Sequence, residues 1–374
     1  MGSKVSIVKC ADYKKENVDF AVKKALALVG GIPDFIKPGA RVLLKPNLLM
    51  SIEPERAITT HPEVVRPVIR ILKDIGVKVY IADTPSVWGK KEDIEIKELY
   101  KKTGMASIAK EEGAELITLK QKSFKKGLPL ASFIDEVDAV INIAKFKTHG
   151  LMILTAAVKN LFGLIPGLFK SELHKKYFKA REFAAMLLDV YESVSPALTI
   201  VDAVDIIEGD GPATSGEKRH VGLILAGRDA IAIDSVLAKI MNLTPEDIPV
   251  IAASGRRNLG CSDLRSIEIL GENLNDVILA DFKLPNPAMI YKIPKPAFEI
   301  FKKLLDYRPE IDPTVCVKCN RCRQICPEKV ITLEPKIKID YSRCIRCFCC
   351  QEACPERAIS TRKSFLAKIL GMRG

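Results

Sequence analysis

The hydrophobic pattern of the chain alternates between two kinds of segment from Val5 to about Leu270. Short runs rich in β-branched residues are separated by longer stretches in which apolar residues recur every three or four positions. The first kind predicts buried β-strands, and the second predicts amphipathic helices. The predicted strands are KVSIVK, ARVLLKPN, KVYIAD, ELITL, AVINIAKFK, LTIVDAV and VGLILAG. Strands that alternate with helices indicate an α/β fold, with a mixed or mostly parallel sheet and flanking helices.

The segment HPEVVRPVIRILKDIG shows the helical pattern most clearly. Its apolar positions fall on one face of a helix, namely Val64, Val65, Val68, Ile69 and Leu72. Thr60 is placed to cap the start of this helix, Pro62 suits its first turn and Gly76 ends it. The pattern therefore predicts a helix that packs on the sheet through an apolar stripe.

Polar residues follow several of the predicted strands at their carboxyl ends. They are Lys45, Asn47, Asp83, Thr84, Lys145, Lys147, His149 and Asp202. In open α/β sheets, ligands bind outside this edge, at a point where the strand order reverses. Any single one of these residues could instead cap a helix or face solvent in a loop, but the whole set predicts a ligand site.

The segment NIAKFKTHG carries the strongest of these signals. Lys145 and Lys147 alternate with Phe146 at a strand end, which puts two ammonium groups on one face of the strand. Two like charges held together repel unless an anion bridges them or one group loses its proton. A phosphate or a carboxylate is the natural partner. For His149, the sequence leaves open a role as acid, base or ligand and a purely structural role.

Two further segments carry candidate chemistry. TAAVKNLFG places Lys159 and Asn160 in an apolar helix, where an unpaired lysine is costly to bury, although Lys159 could extend its ammonium group to water. IIEGDGPATSG places Glu208 and Asp210 among glycines, in a loop that could hold a divalent cation or form a plain turn. The usual glycine-rich nucleotide motifs and the serine-hydrolase elbow do not occur, so neither chemistry is indicated.

Nine of the eleven cysteines lie between Cys316 and Cys354. They include two runs with the spacing C-x2-C-x2-C-x3-C-P, and the second run repeats the first 28 positions later. The first run holds Cys316, Cys319, Cys322 and Cys326, and the second holds Cys344, Cys347, Cys350 and Cys354. Cys349 has no counterpart, because Arg321 stands at the equivalent position. Cys349 is therefore the spare cysteine.

The segment from about Asp312 to Arg362 resembles the bacterial-type two-4Fe-4S ferredoxins. The resemblance implies two 4Fe-4S clusters, with the fourth cysteine of each run binding the other cluster. The expected ligand sets are Cys316, Cys319, Cys322 and Cys354 for one cluster, and Cys344, Cys347, Cys350 and Cys326 for the other. A pair of structural zinc sites is the alternative, because thiolates suit both metals. Cys349 is expected to be a free thiol, and a swapped ligand is the alternative.

The body of the chain carries a second resemblance. LLKPNLL, TTHPEVVRPVI, IADTPS, INIAKFKTHGLMILTAAVKNLFGLIPG and IVDAVDIIEGDGPATSGEKRHVGLILAGRDAIAID are similar to segments of the domain-of-unknown-function 362 family, which is often found fused to a ferredoxin. The resemblance implies that family's fold and an association with iron-sulfur proteins, but no particular substrate. The residues carried over are Lys45, Asn47, His61, Lys145, Lys147, His149, Lys159, Asn160, Asp210 and Asp234.

The 374 residues are predicted to divide into four parts. They are an α/β body at 1–284, a proline-rich linker at 285–311, the ferredoxin domain at 312–362 and a basic amphipathic tail at 363–374. The apolar stretch from Leu151 to Phe169 is long enough to span a membrane, but it carries Lys159 and Asn160 at its middle, so a buried segment is expected. No transmembrane segment and a cytoplasmic location are predicted.

The net charge of +12 is spread along the chain among acidic residues, and no recognition motif appears, so a nucleic-acid partner is not expected. We predict an anaerobic iron-sulfur redox protein that passes low-potential electrons to an anionic substrate or cofactor at the strand ends. The predicted catalytic residues are Lys145, Lys147 and His149. The predicted substrate-binding residues are Lys45, Asn47, His61, Lys159, Asn160 and Asp210. The alternative is a non-enzymatic electron carrier or cofactor-assembly scaffold for a redox partner protein, and the number of subunits is left open.

Overall fold

The computed structural model describes residues 2–84, 92–167, 169–285 and 307–363. Within these residues the body forms a nine-stranded sheet and a separate two-stranded hairpin. The strands of the sheet are β1 (Ser3–Lys9), β2 (Arg41–Pro46), β3 (Lys78–Ile81), β4 (Glu115–Leu116), β7 (Ala139–His149), β8 (Ile153–Thr155), β9 (Leu198–Gly209), β10 (Gly216–Gly227) and β11 (Ile267–Gly271). The hairpin consists of β5 (Lys122–Lys125) and β6 (Leu128–Ala131).

The order of the strands brings the predicted polar residues to one edge of the sheet. The order is β11-β1-β10-β9-β7-β2-β3-β4, and β8 pairs with the end of β7. Strands β9, β7, β2, β3 and β4 are mutually parallel, whereas β10 is antiparallel to both β9 and β1. The carboxyl ends of the parallel strands therefore lie together. This mixed, mostly parallel sheet with flanking helices confirms the predicted fold class.

Helices cover both faces of the sheet. They are α1 (Lys15–Leu28), α2 (Pro62–Asp74), α3 (Glu92–Lys102), α4 (Met105–Glu112), α5 (Ala157–Asn160), α6 (Phe169–Lys176), α7 (Ala180–Val194), α8 (Ala230–Ile240) and α9 (Pro249–Arg257). Short 3-10 helices occur at Pro54–Arg56, Ser132–Asp135, Leu161–Leu164, Pro245–Asp247, Leu264–Ser266 and Leu274–Val277. Helices α1 to α4 share one apolar core with the sheet, and α5, α7, α8 and α9 share the other. Along β2, Val42 and Leu44 face the first core and Leu43 faces the second.

Helix α2 has the predicted apolar stripe and the predicted proline in its first turn, but it begins differently. The N-cap residue is His61, whose Nδ1 accepts a hydrogen bond from the Glu63 N–H at 3.3 Å. The Thr60 hydroxyl instead donates to the Ile143 carbonyl and accepts from the Asn47 N–H, each at 2.8 Å. Thr60 does not cap the helix because its side chain joins the loop after β2 to strand β7.

The carboxyl-terminal module is built from two small antiparallel strand pairs and two short helices. Its elements are β12 (Tyr307–Ile311), α10 (Arg321–Ile325), β13 (Ile331–Thr332), β14 (Lys338–Ile339), α11 (Cys349–Glu352) and β15 (Ile359–Lys363). Strand β12 pairs with β15, and β13 pairs with β14. Residues 307–311 therefore belong to the module, although the sequence assigned them to the linker. The other linker residues, 286–306, and the tail at 364–374 lie outside the described residues.

The apolar stretch from Leu151 to Phe169 is folded into the body. It forms β8, α5 and the 3-10 helix Leu161–Leu164, and most of its described apolar side chains are buried in the core. Within the described residues, no helix is both long enough and apolar enough to cross a membrane. The cytoplasmic location stays a prediction.

Candidate functional site

Lys45 forms a buried ion pair at the end of β2. Its ammonium group is 2.8 Å from Asp83 Oδ1 and donates to the Pro46 carbonyl at 2.9 Å. Burial lowers the pKa of Lys45, and the attraction of Asp83 opposes that shift. Asp83 Oδ2 also accepts a hydrogen bond from the Leu48 N–H at 2.6 Å. The pair therefore holds together the loops that follow β2 and β3.

Lys147 is buried with uncharged partners. Its ammonium group donates to Asn47 Oδ1 at 2.8 Å and to the Ile58 carbonyl at 2.7 Å. Asn47 in turn donates to Asn160 Oδ1 at 2.9 Å. Burial and the nearby charge of Lys159 hold the pKa of Lys147 well below its ordinary value. An anion close to this ammonium group would stabilise its charged form.

Lys145 belongs to a different cluster. It lies opposite Asp202 across β7 and β9, and its ammonium group is 2.9 Å from Asp202 Oδ2 and 2.7 Å from the Tyr13 hydroxyl. The His61 ring stacks on Tyr13 with a centroid distance of 3.8 Å. The structure thus gives Lys145 and Lys147 separate partners in place of the shared anion expected from the sequence, because a carboxylate from the neighbouring strand neutralises Lys145.

Asp234 on α8 positions the short helix α5. Its two carboxylate oxygens accept hydrogen bonds from the Ala157 and Val158 N–H groups at 2.8 and 3.0 Å. Burial raises the pKa of Asp234 to about 7, although both hydrogen bonds oppose the shift. Because α5 also contains Lys159 and Asn160, the carboxylate fixes the direction in which these two side chains leave the backbone.

The polar edge of the sheet and the carboxyl-terminal module share a cavity. About 60 Å³ is available to the centres of water molecules, which is room for roughly four waters or a ligand of a few non-hydrogen atoms. Four of the residues predicted as catalytic or substrate-binding line it, Asn47, Lys147, Lys159 and Asn160, and so do Asp83 and Thr84 from the predicted strand ends. The other predicted body residues lie outside its lining: Lys45, His61, Lys145, His149 and Asp210. Asp210 lines a smaller neighbouring cavity.

Helix α6 contributes two lining residues that the sequence reasoning missed. Lys170 and His174 are four positions apart, so they lie on one face of the helix. The Lys170 ammonium group donates to the Thr84 carbonyl at 2.6 Å, and burial lowers its pKa to about 7. Burial also lowers the pKa of His174 to about 3. The four-residue spacing of Lys170 and His174 was the only signal in the sequence that could have identified them as site residues. It was not enough, because a pair of basic residues at helical spacing more often faces solvent.

Positive charge predominates in the lining. The ammonium groups of Lys147, Lys159 and Lys170 face the carboxylates of Asp83 and Glu352. The ion pair with Lys45 neutralises Asp83. Three lysines therefore remain against one carboxylate, and an anionic ligand would stabilise their charged forms.

His149 joins the body to the module. Its Nδ1 accepts hydrogen bonds from the Leu151 and Met152 N–H groups, and its Nε2 lies 3.0 Å from Glu352 Oε1. Burial and the charge of Lys159 lower the pKa of His149 to about 4. Burial alone would raise the pKa of Glu352, but its neighbours His149 and Lys159 lower it overall. A neutral His149 and an ionised Glu352 thus meet at the boundary between body and module.

Further contacts cross the same boundary. The Thr214 hydroxyl donates to the Cys354 carbonyl at 2.7 Å, and the Ser215 hydroxyl donates to the Ile359 carbonyl at 2.9 Å. Arg357 returns a hydrogen bond to the Gly216 carbonyl at 2.9 Å. These bonds attach the loop between β9 and β10 to the cysteine-rich module.

The cysteines of the two runs adjoin one another inside the module. The thiol of Cys322 has Cys319, Cys316 and Cys354 as its cysteine neighbours, and burial raises its pKa to about 11. The neighbours of Cys344 are Cys347 and Cys326, and both also adjoin Cys350. We call Cys316, Cys319, Cys322 and Cys354 the first set, and Cys344, Cys347, Cys350 and Cys326 the second set. Soft thiolate donors suit iron-sulfur clusters, and the crossed assignment of these cysteines to two clusters stays a prediction.

Cys349 is buried beside the second set and also lines the cavity. Its hydrogen bond with Cys347, together with burial, raises its pKa well above the ordinary value.

The loop that carries Glu208 and Asp210 was a candidate cation site. In the structure, Glu208 pairs with Arg219 at 3.2 Å. In the part of the chain that the structure describes, no three His, Cys, Asp or Glu side chains are grouped as ligands of a single metal ion.

Known protein families match both the body and the module of the chain. The model of the family described as a domain of unknown function (DUF362) matches residues 42–239, and that of a 4Fe-4S dicluster domain matches residues 308–355. The chain is 33% identical over 293 residues to the thylakoid-associated protein sll1697 of Synechocystis sp., which covers 77% of this chain and 90% of that protein. The lactate racemase apoprotein from Thermoanaerobacterium thermosaccharolyticum matches with a TM-score of 0.36 and 13% identity, over 58% of this chain and 53% of that one.

Proposed function

The chain belongs to the DUF362 family and carries a 4Fe-4S dicluster domain, and from this premise we propose that it delivers electrons to a small anion bound between body and module. Two 4Fe-4S clusters, held by the first and second sets, would supply one-electron transfer at low potential. The observation that carries the proposal is the shared cavity, which the lysines of the body and Cys349 of the module both line.

The body residues divide the work of holding the anion. Lys147 and Lys159 offer ammonium groups to it, and Asn47 and Asn160 hold Lys147 in place. Lys170 has a pKa of about 7 and so can give up a proton near neutral pH, as reduction of a bound anion requires. Lys145 and His149, which the sequence nominated as catalytic, support the site through Asp202 and Glu352.

Binding and reoxidation measurements on a matched pair of lysine variants test this function. Lys159→Met removes a cavity charge, and Lys179→Met removes the same charge from an exposed pair with Glu182. Calorimetry on the anaerobic, cluster-loaded protein should find a short carboxylate or a phosphate ester that binds. The affinity should fall about tenfold or more in Lys159→Met and stay unchanged in Lys179→Met. An anion of this kind that also carries a ketone should reoxidise the pre-reduced protein, followed by visible absorbance, because two electrons, one from each cluster, and two protons convert the ketone to an alcohol.

The alternative role of the cavity lysines is to balance the charge of a cluster. Each oxidised cluster with its thiolates brings roughly two negative charges, because the ligating cysteines are deprotonated. If no anion binds and Lys159→Met changes only the cluster potentials, the cavity lysines balance the charge of a cluster and hold no ligand.

The carrier or scaffold function finds support on a different surface. Cys319 is exposed, and Val317 beside it is 63% exposed, so the loop of the first set is open to a partner protein. A carrier would exchange electrons there and needs no ligand in the cavity. This function predicts that a protein acceptor oxidises reduced Lys159→Met as fast as the wild type, and that no small anion accelerates reoxidation.

A further inference from the structure

The module reaches the cavity through residues that adjoin the second set of cysteines. Ile325 is bonded to Cys326, and Cys349 is bonded to Cys350. Ile325 and Cys349 lie in one buried cluster, and Cys347 packs against it. Three of the four cysteines of the second set are therefore next to the wall of the cavity. A ligand in the cavity would therefore lie closer to the second set than to the first set, whose loop is exposed.

The cavity lining also presents hydrogen-bonding groups that are unsatisfied within the described residues. Thr155 Oγ1, His174 Nδ1 and Glu352 Oε1 have no hydrogen-bond partner, and the three residues are 4%, 4% and 7% exposed. A buried polar atom without a partner destabilises the protein until a ligand or water satisfies it. A hydroxyl can donate to an oxygen, and an imidazole nitrogen can donate or accept according to its tautomer. With the three ammonium groups, this lining suits a ligand rich in acceptor oxygens.

We propose that the cavity takes a small oxyanion against Cys349, and that the bound anion lowers the reduction potential of the second cluster while leaving that of the first unchanged. This inference rests on the proposed function and adds the position of the anion and the cluster that senses it. It also assigns a role to the spare cysteine, as a positioning residue between the anion and the ligand thiolate of Cys347.

The physical reason is electrostatic. A negative charge opposes the addition of an electron to a nearby centre, and this interaction is strong where water is excluded and weakens with distance. Hydrogen bonds to the ligand sulfurs also set the potential of an iron-sulfur cluster. Cys349 can offer its thiol for such a bond, because Cys347 packs against the buried cluster that contains Cys349. Changing Cys349 should therefore alter the same centre that responds to the anion.

The experiment is a redox titration of the cluster-loaded protein, followed by electron paramagnetic resonance. It is run without oxyanions, with inorganic phosphate and with acetate, so that its arms distinguish a phosphate from a carboxylate ligand. The variants are Cys349→Ser and Arg321→Ser, which stand at equivalent positions of the internal repeat. We expect one centre to shift to a more negative potential with the anion. Cys349→Ser should alter that same centre, whereas Arg321→Ser should alter only the other.

A second measurement does not depend on the variants. Pulsed resonance on the wild type with bound phosphate should detect coupling between phosphorus-31 and the anion-sensitive centre, and an excess of acetate should remove it if the two anions compete for the site. Equal shifts of both centres, or an anion-sensitive centre that only Arg321→Ser alters, would overturn the inference. If no anion binds by calorimetry, the proposed function fails too. If an anion binds and reoxidises the protein but the first centre responds, only this inference fails.

Discussion

Gly163 shows how closely the backbone approaches the buried ion pair of Lys45. A Cβ atom at this position would lie 2.5 Å from Lys45 Nζ and would also clash with Asp83. Overpacking of this kind typically costs about 1–3 kcal/mol. We expect Gly163→Ala to lower the free energy of unfolding by that amount, measured by urea denaturation, and to weaken anion binding.

Gly255→Ala is the control for this change. Gly255 lies in helix α9, and the nearest atom to an added Cβ is Ser262 Oγ at 3.5 Å. Alanine is the better helix former by roughly 0.5–1 kcal/mol, so this variant should be as stable as the wild type or more so. If the two alanine variants behave alike, the close approach at Gly163 has no energetic consequence.

The pKa of Lys170 leads to a prediction about pH. Burial lowers it to about 7 in the free protein, and an anion beside the ammonium group would raise it again. Below pH 7 the anion meets a charged Lys170. Above pH 7 binding must take up a proton, so the affinity should fall by up to about tenfold per pH unit. Calorimetry with sulfate, whose charge is constant from pH 6 to 9, measures this, and Lys170→Met should remove the dependence. A flat profile in the wild type would contradict it.

Single residues also show what sequence can and cannot predict. Lys147 and Asn47 were found because polar residues at strand ends meet at one edge of a parallel sheet, and Asn160 was found because it interrupts an apolar helix. The neutralisation of Lys145 was not foreseen, because it depends on the register that places Asp202 opposite it. Cys349 was recognised as a spare thiol, but its place in the cavity wall depends on how the module docks.

At the scale of secondary-structure elements, α5 is a four-residue helix that depends on a residue far away in sequence. Both carboxylate oxygens of Asp234 accept its first N–H groups. In Asp234→Asn, one of these N–H groups would meet an amide NH2 and lose its acceptor, at a cost of about 1–3 kcal/mol. We expect lower stability in urea and weaker anion binding, with an unchanged iron content.

Asp229→Asn provides the matched control for Asp234→Asn. Asp229 caps helix α8 by accepting hydrogen bonds from the Ile231 and Ala232 N–H groups. The same chemical change occurs there away from the cavity, so stability should fall while anion binding is kept. Equal losses of anion binding in both variants would mean that Asp234 acts only through overall stability.

The elements predicted correctly are those with a strong and continuous pattern. Strands β2, β7 and β9 are buried on both faces and appear as apolar runs, as parallel strands should. The hairpin β5–β6 and the strands β8, β11 and β12 were not predicted. They are short or lie at edges, and β12 contains Pro309. Their pairing comes from tertiary contacts that the local sequence does not encode.

At the scale of the whole molecule, the body and the module have very different cores. Two large apolar clusters stabilise the body on the two faces of its sheet. The module has two small clusters, and four cysteines, Cys322, Cys326, Cys350 and Cys354, are buried together in the larger one. A core this small and this rich in thiols is expected to need its metal, because structural metal binding contributes directly to folding.

Removing the iron should therefore unfold the module and leave the body folded. After treatment with an iron chelator under reducing conditions, we expect residues 307–363 to lose protection from amide hydrogen exchange, measured by mass spectrometry, while β9 and β10 keep theirs. Anion binding should be lost as well, since Cys349 and Glu352 leave the wall of the cavity. Restoring iron and sulfide should recover both properties. If zinc alone restores the protection of the module, the zinc alternative is favoured. If β9 also loses protection, the two parts unfold together because their interface is as strong as the core of the body.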